Sequence, residues 1–183
     1  MIKFKETPLK DVWLIEPTLF KDERGHFLEA FREEYFREKG LISTFVQDNI
    51  SVSKKGTIRG LHYQANPHAQ AKLVMAIEGE ILDVAVDLRK NSPTFGKSFK
   101  AKLSSKNRTM MLIPVGFAHG FSVLSEDATV FYKCSQYYNK ESERGIMWND
   151  QDIDIDWEVK NPIVSEKDKK NIHFIDIIPS DLF

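Results

Sequence analysis

Three stretches of the chain hold side chains able to move protons or to hold developing charge. They are Gly56-Thr-Ile-Arg59-Gly60-Leu-His62-Tyr-Gln64, the run KLVMAIEG from Lys72 to Gly79, and Pro114-Val-Gly-Phe-Ala-His119. An imidazole accepts and returns protons near neutral pH, and a lysine ammonium inside a barrel can stabilise an oxyanion. Together they suit proton transfer at a carbon beside a carbonyl. Such a carbon ionises only if the enolate is stabilised, and it inverts only if a proton returns on the other face. Arg59, three residues before His62, falls on the opposite strand face by alternation unless Gly60 introduces a bulge that turns both side chains inward.

The spacing of these stretches is similar to that of the metal-binding cupins. There the first motif reads G-x5-H-x-H, a Glu follows with six residues between it and a Gly, and the second motif reads P-x-G-x-x-H. His62 and His119 stand at two of the ligand positions, but Gln64 replaces the second His and Lys72 replaces the Glu. An ammonium at that place repels a divalent ion and competes for its position. The expectation is therefore no catalytic metal and no cofactor, with Lys72 as the electrophile in the role a metal would otherwise take.

The elements that must position these groups read as short β-branched and aromatic runs between turn residues, the pattern of an all-β sandwich or barrel. Strands are predicted near Thr44–Ser53, Lys72–Leu88, Ser98–Leu103, Thr109–Ile113, Ala118–Leu124 and Thr129–Gln136. Lys72–Leu88 is too long for one strand, so Gly79 is expected to pivot it into a hairpin. Glu33–Lys39, followed by Gly40, reads as a short peripheral helix with a glycine C-cap. From Asp150 onward, QDIDIDW and SEKDKKN alternate acids with apolar or basic residues, a tail that can close over a site.

The chain has 183 residues, enough for one domain over 1–183 with a full core. Its 26 Lys and Arg nearly balance 27 Asp and Glu, which gives no broad attraction to nucleic acid or to an anionic membrane. No apolar run reaches the roughly 20 residues that a spanning helix needs. The single cysteine, Cys134, cannot form an intrachain disulfide, and the opening MIKFKETPLK lacks the apolar core of a secretory signal. A cytoplasmic location is expected.

The segments QDNISVSKKGTIRGLHYQ, KLVMAIEGEILDVAVDLRKNSPTFG and IPVGFAHGFSVLSEDATVFYK closely resemble those of the dTDP-4-dehydrorhamnose 3,5-epimerase family. FKDERGHFLEAF, YYNKESERGIMWND and SEKDKK extend the resemblance. It implies a cupin-type double-stranded β-helix, or jelly roll, with a few short peripheral helices. It also implies a homodimer that inverts C3 and C5 of a dTDP-linked 4-keto sugar. By position in the family motif, His62 is the base, Asp168 orients it, Tyr132 is the acid, and Lys72 and His119 hold the enolate oxygen. Arg24, Arg59 and Gln47-Asp48-Asn49 grip the nucleotide half, Glu29 lies near base or ribose, and Tyr138 stacks on the thymine. Glu143 and Lys167 match further binding positions.

Each residue also has a plainer reading. His26, His68 and His173 are taken as structural or surface residues, and without its motif Lys72 would be a solvated edge lysine. Tyr132 would then be a core aromatic and Asp168 a surface charge. Tyr137 alternates with Tyr138, so a slip of one residue would exchange them. Three other functions remain open on the sequence: a sister enzyme that epimerises only C3 or C5, a non-catalytic sugar-nucleotide-binding cupin, and a metal-dependent cupin. Solvent exchange at each carbon separates the first two from the double epimerase, and a chelator separates the third.

Overall fold

The computed structural model describes residues 2–183. In chain order its elements begin with β1 (Lys3–Glu6), β2 (Trp13–Glu16), β3 (Phe20–Asp22), β4 (Gly25–Phe27), α1 (Glu33–Glu38), β5 (Gln47–Lys54), β6 (Thr57–Gln64) and β7 (Lys72–Glu78). They continue with β8 (Glu80–Asp87), β9 (Ser98–Ser104), β10 (Met110–Ile113), β11 (Phe117–Val123), β12 (Asp127–Cys134), β13 (Glu143–Gly145) and β14 (Ile163–Val164). One six-stranded sheet runs β1-β2-β10-β7-β12-β5, and a second runs β13-β6-β11-β8-β9, with β14 pairing parallel to β6. Two facing antiparallel sheets of this kind form a cupin-like jelly roll, as the resemblance implied, and fit the all-β sandwich or barrel read from the residue pattern.

Alternation sorts the side chains. Val74 and Ala76 of β7, Ile81 and Ala85 of β8, Phe121 and Val123 of β11, and Ala128 and Val130 of β12 form one buried cluster. Each fully buried Val, Ile or Phe among them contributes roughly 1.5–3 kcal/mol of transfer free energy. The second sheet is apolar on its other face too, where Leu61, Val84 and Val86 meet Ile146, Ile153, Trp157 and Ile177 of the C-terminal segment. On the first sheet, fully buried Phe36 of α1 packs with Ile15, Leu73 and Leu112. The helix is short and peripheral, and Gly40, at φ +68°, follows its end and donates its N–H to the Arg37 carbonyl.

One topological expectation is corrected. Gly79 is the pivot between β7 and β8, but the two strands belong to different sheets and form no hairpin: β7 pairs with β10 and β12, β8 with β11 and β9. A single residue at φ +70° turns the chain across the barrel corner, whereas strand reversal normally takes a two-residue turn. No side chain fits there, because a Cβ on Gly79 would lie 2.1 Å from the Asp127 carbonyl. The strand β6 was read only as a motif, since Arg59-Gly60-Leu61 breaks its alternation.

Loops at the strand ends are tied by buried polar groups. Asp87 is fully buried and accepts hydrogen bonds from Arg89 Nε and Nη2, Ser92 Oγ and Thr94 Oγ1 at 2.6–2.9 Å. Burial pushes this carboxyl up, but those donors outweigh it and hold Asp87 at about 2, below its ordinary 3.8. A depressed carboxylate stabilises the fold fully above its unfolded value, and that contribution disappears as pH falls through the folded one. Between about pH 4 and pH 2 the native protein should therefore lose about 2 kcal/mol through this group. Denaturant titrations at the two pH values should show a smaller loss in Asp87→Asn, and an equal loss in both proteins would contradict the assignment.

Candidate active site

The inward stripes of the strands change from apolar to polar at one end of the barrel. On β7 the stripe Ala76, Val74 ends in Lys72, and on β12 Val130 is followed by Tyr132 and Cys134. On β8 Asp83 stands between Ile81 and Ala85, and on β5 Gln47, Asn49, Ser51 and Ser53 share one face. On β6 and β11, His62 and His119 are register partners. Period-two alternation brings these residues from six strands to one place.

Gly60 supplies the bulge that the sequence reading required. Phe121 pairs with Arg59 and His119 with His62, so β6 spends one more residue than β11 over the same span. Gly60 has φ +135°, and a Cβ there would lie 2.5 Å from Gly120 Cα. Arg59 and His62 consequently line the same cavity.

His62 Nε2 lies 2.6 Å from Asp168 Oδ1. The carboxylate sits in a 3₁₀ turn (Asp168–Lys170), only 3% exposed, and its Oδ2 accepts the Gly60 N–H at 3.4 Å. Burial pushes Asp168 up, yet the His62 contact, the Gly60 amide and Ser165 hold it below its ordinary value. An ionised carboxylate only accepts, so Nε2 carries the hydrogen of that bond and Nδ1 keeps the free lone pair of the neutral ring.

A second pair lies beside the first. His119 Nε2 is 2.7 Å from Asp83 Oδ1, and both residues are buried. Burial pushes His119 down, Asp83 opposes this, and nearby Lys72 and His62 add to the lowering. Burial also pushes the Lys72 ammonium down, against the pull of Cys134, Asp83 and Glu143. Tyr132 is pushed up by burial, so its phenol holds its proton at neutral pH.

Two chambers meet at His62 and Tyr132. One, of about 350 Å³, is lined by Gln47, Asn49, Gln64, Lys72, Cys134, Tyr138 and Glu143 as well as by those two residues. The other, of about 280 Å³, adds Ser51, Arg59, His119, Phe121, Ser165, Lys167 and Asp168. A chain of contacts crosses the mouth. Gln47 Oε1 accepts the Tyr138 N–H at 2.8 Å, Tyr138 OH donates to Glu143 at 2.9 Å, and Lys167 pairs with Glu143 at 2.5 Å. Both tyrosines are exposed, but Tyr138 lines the chamber and Tyr137 does not.

Gln64, at the former metal-ligand position, has its amide fully engaged with backbone. It donates to the His68 and Tyr137 carbonyls and accepts the Asn139 N–H at 2.7 Å, which pins the loop that carries Tyr138. Among the described residues, no three His, Cys, Asp or Glu side chains converge as a metal site would need. Arg24, Glu29 and Asp48 line neither chamber. Arg24 pairs with Asp22 at 2.6 Å, Glu29 with Arg32 at 2.6 Å, and Asp48 with Lys133 across β5 and β12 at 2.8 Å. His173 contacts Asp150 at 3.2 Å, outside the site. Sequence reasoning missed Asp83 and Ser51. The signal for Asp83 was a charge at an inward position of the β-branched run EILDVAVD.

A jelly roll whose interior holds two histidine–carboxylate pairs, a buried lysine and a protonated tyrosine is a scaffold for acid–base isomerisation. The chain belongs to the dTDP-4-dehydrorhamnose 3,5-epimerase family, whose profile matches residues 6–176. It is 51% identical over 172 residues to the dTDP-4-dehydrorhamnose 3,5-epimerase of Shigella flexneri, covering 93% of this chain and 95% of that one. The crystal structure of dTDP-6-deoxy-D-glucose-3,5-epimerase from Legionella pneumophila, in complex with dTDP-4-keto-L-rhamnose, is similar with TM-score 0.96 and 42% identity. That match covers 100% of this chain and 97% of that one. A 3'-monoepimerase from Streptomyces bikiniensis, in complex with dTDP-quinovose, is similar with TM-score 0.86 and 33% identity, over 91% of this chain and 85% of that one.

Proposed function

We propose that this chain is the dTDP-4-dehydro-6-deoxy-D-glucose 3,5-epimerase of dTDP-L-rhamnose biosynthesis, giving dTDP-4-dehydro-L-rhamnose. The single observation that carries the mechanism is the pairing of His62 with an ionised, buried Asp168 in a cavity wall shared with protonated Tyr132. In this reading Nδ1 of His62 takes the proton from the carbon beside the ketone, and the C–H electron pair moves into the enolate. Lys72 holds the enolate oxygen, with the His119–Asp83 pair beside it. A buried ammonium has lost hydration and gains correspondingly from an oxyanion. Tyr132 then returns a proton on the opposite face; His62 passes its proton to solvent and Tyr132 takes one back from solvent, and the sequence repeats at the second carbon. No electrons leave the substrate, so the cycle balances on proton transfers alone.

The nucleotide half is assigned to Gln47, Asn49, Arg59, Tyr138, Glu143 and Lys167, with Arg59 offering a planar fork to the diphosphate. Likeness to the Streptomyces bikiniensis monoepimerase keeps inversion at C3 alone as a second reading. No described helix is long and apolar enough to cross a membrane.

We also propose a homodimer. Ile50 and Val52, 66% and 67% exposed, stand on the outward face of edge strand β5, and the β3–β4 hairpin presents Phe20 and Phe27 at 58% and 69% exposure. Such an edge and patch are ordinarily covered. Arg24 sits in the turn of that hairpin and Glu29 shortly after it, so a partner's hairpin is the route by which they would reach a nucleotide.

Incubation with dTDP-4-dehydro-6-deoxy-D-glucose, followed by borohydride reduction and sugar analysis, should reveal the L-rhamno configuration. His62→Ala should slow its appearance by roughly 10²- to 10⁴-fold. A wild-type protein that returns the sugar unchanged would overturn the function, and inversion at C3 alone would select the second reading. For the assembly, light scattering of the eluted protein should give twice the 21.2 kDa chain mass, falling to that mass in Phe27→Asp. A monomeric wild type would refute the dimer.

A further inference from the structure

Five buried side-chain polar atoms lack a hydrogen-bond partner among the described residues: Trp13 Nε1, Ser51 Oγ, Tyr63 OH, Asp83 Oδ2 and Arg108 Nε. Leaving a buried donor or acceptor unpaired costs free energy in the empty protein, and a ligand that supplies the missing partner removes that cost. Ser51 is the member of this group on the wall of the chamber that also holds Arg59, His62, His119 and Tyr132. Its neighbours on the same face of β5 are engaged. Gln47 donates to Asn49 Oδ1 at 3.1 Å, Asn49 reaches Cys134 Sγ at 3.5 Å, and Ser53 Oγ accepts Arg59 Nε at 2.9 Å.

Arg59 is fixed by that bond and by its Nη2 contact to the Val52 carbonyl at 3.4 Å. Neither contact uses the Nη1 hydrogens. A hydroxyl hydrogen and a guanidinium edge are thus offered to the same chamber, alongside the Lys167 cation. Two donors in one small space, with Lys167 already paired to Glu143, suit an oxygen acceptor bearing negative charge or a carbohydrate hydroxyl.

We propose that Ser51 is a further substrate-binding residue, whose hydroxyl donates a hydrogen bond to an oxygen of the nucleotide sugar held beside Arg59. The proposal rests on the sugar-nucleotide reading of the site. It assigns Ser51 to binding and leaves proton transfer to the histidine and the tyrosine. The acceptor is a diphosphate oxygen or a hydroxyl of the hexose.

The test is calorimetric titration of wild type and Ser51→Ala with dTDP and with dTDP-glucose, beside thermal melts of both proteins. Ser51→Ala should bind dTDP-glucose roughly ten-fold more weakly. Equal weakening toward dTDP identifies a diphosphate oxygen as the acceptor, and unchanged dTDP affinity identifies a hexose oxygen. The melting temperature should be unchanged or higher, because the hydroxyl serves no contact within the folded chain. Unchanged affinity for both ligands, or a lower melting temperature in Ser51→Ala, would overturn the proposal. If wild type binds neither ligand, the sugar-nucleotide reading fails before Ser51 is at issue.

Discussion

The 2.6 Å contact between His62 and Asp168 joins residues 106 positions apart in sequence. The rest of the architecture can be read as what is needed to make it. The histidine stands on a central strand of the second sheet, and the aspartate arrives on the C-terminal segment. Ile146, Ile153, Trp157 and Ile177 lay that segment over the outer face of the same sheet. The pair β14–β6 then sets its register, with Ile163 opposite Thr57 and Val164 opposite Ile58, a few residues before the turn bearing Asp168. Apolar burial behind the sheet thus fixes a polar contact in front of it. Loss of any one of these large side chains would loosen the aspartate at a distance from the chemistry.

Concentrating two histidines, two aspartates, a lysine and a tyrosine inside a barrel is costly, because each charged form loses hydration. The cost is met by pairing. Each histidine has its own carboxylate, and Asp168 also takes a backbone amide. What remains without a hydrogen-bond partner among the described residues is one oxygen of Asp83 and the hydroxyl of Ser51, while burial pushes the ammonium of Lys72 down. These are the groups on which a ligand acts most strongly. The apolar half of the barrel, from Val74 to Val123, keeps the strands rigid so that the polar half holds its geometry without a ligand.

Much of this was legible in the sequence. Alternation placed the strands between Phe45 and Tyr138, and the Gly-His-Gln, Lys-Gly and Pro-Gly-His spacings brought His62, Lys72 and His119 together. Spacing could not reach Asp168 or Tyr132, since nothing local records which distant strand or turn will face a residue; only resemblance carried them. The corner at Gly79 was misjudged because one glycine marks a change of direction without saying whether the chain reverses or crosses to the other sheet. Asp83 was passed over as one acid among several in a strand, although its inward position between Ile81 and Ala85 set it apart. Arg24 and Glu29 show a different limit: within the chain they pair with Asp22 and Arg32 and line neither chamber, so the role the resemblance implies for them depends on the proposed partner copy.

The measurement that tests the account most directly follows the α-hydrogens of dTDP-4-dehydro-6-deoxy-D-glucose by proton NMR in deuterated water. Wild type should place deuterium at both C3 and C5 with inversion. His62→Ala should show no exchange, while Tyr132→Phe should still exchange but with configuration retained, because the enolate forms and is reprotonated from the histidine face. Exchange that persists in His62→Ala, or that disappears equally in both variants, would contradict a base and an acid acting from opposite faces.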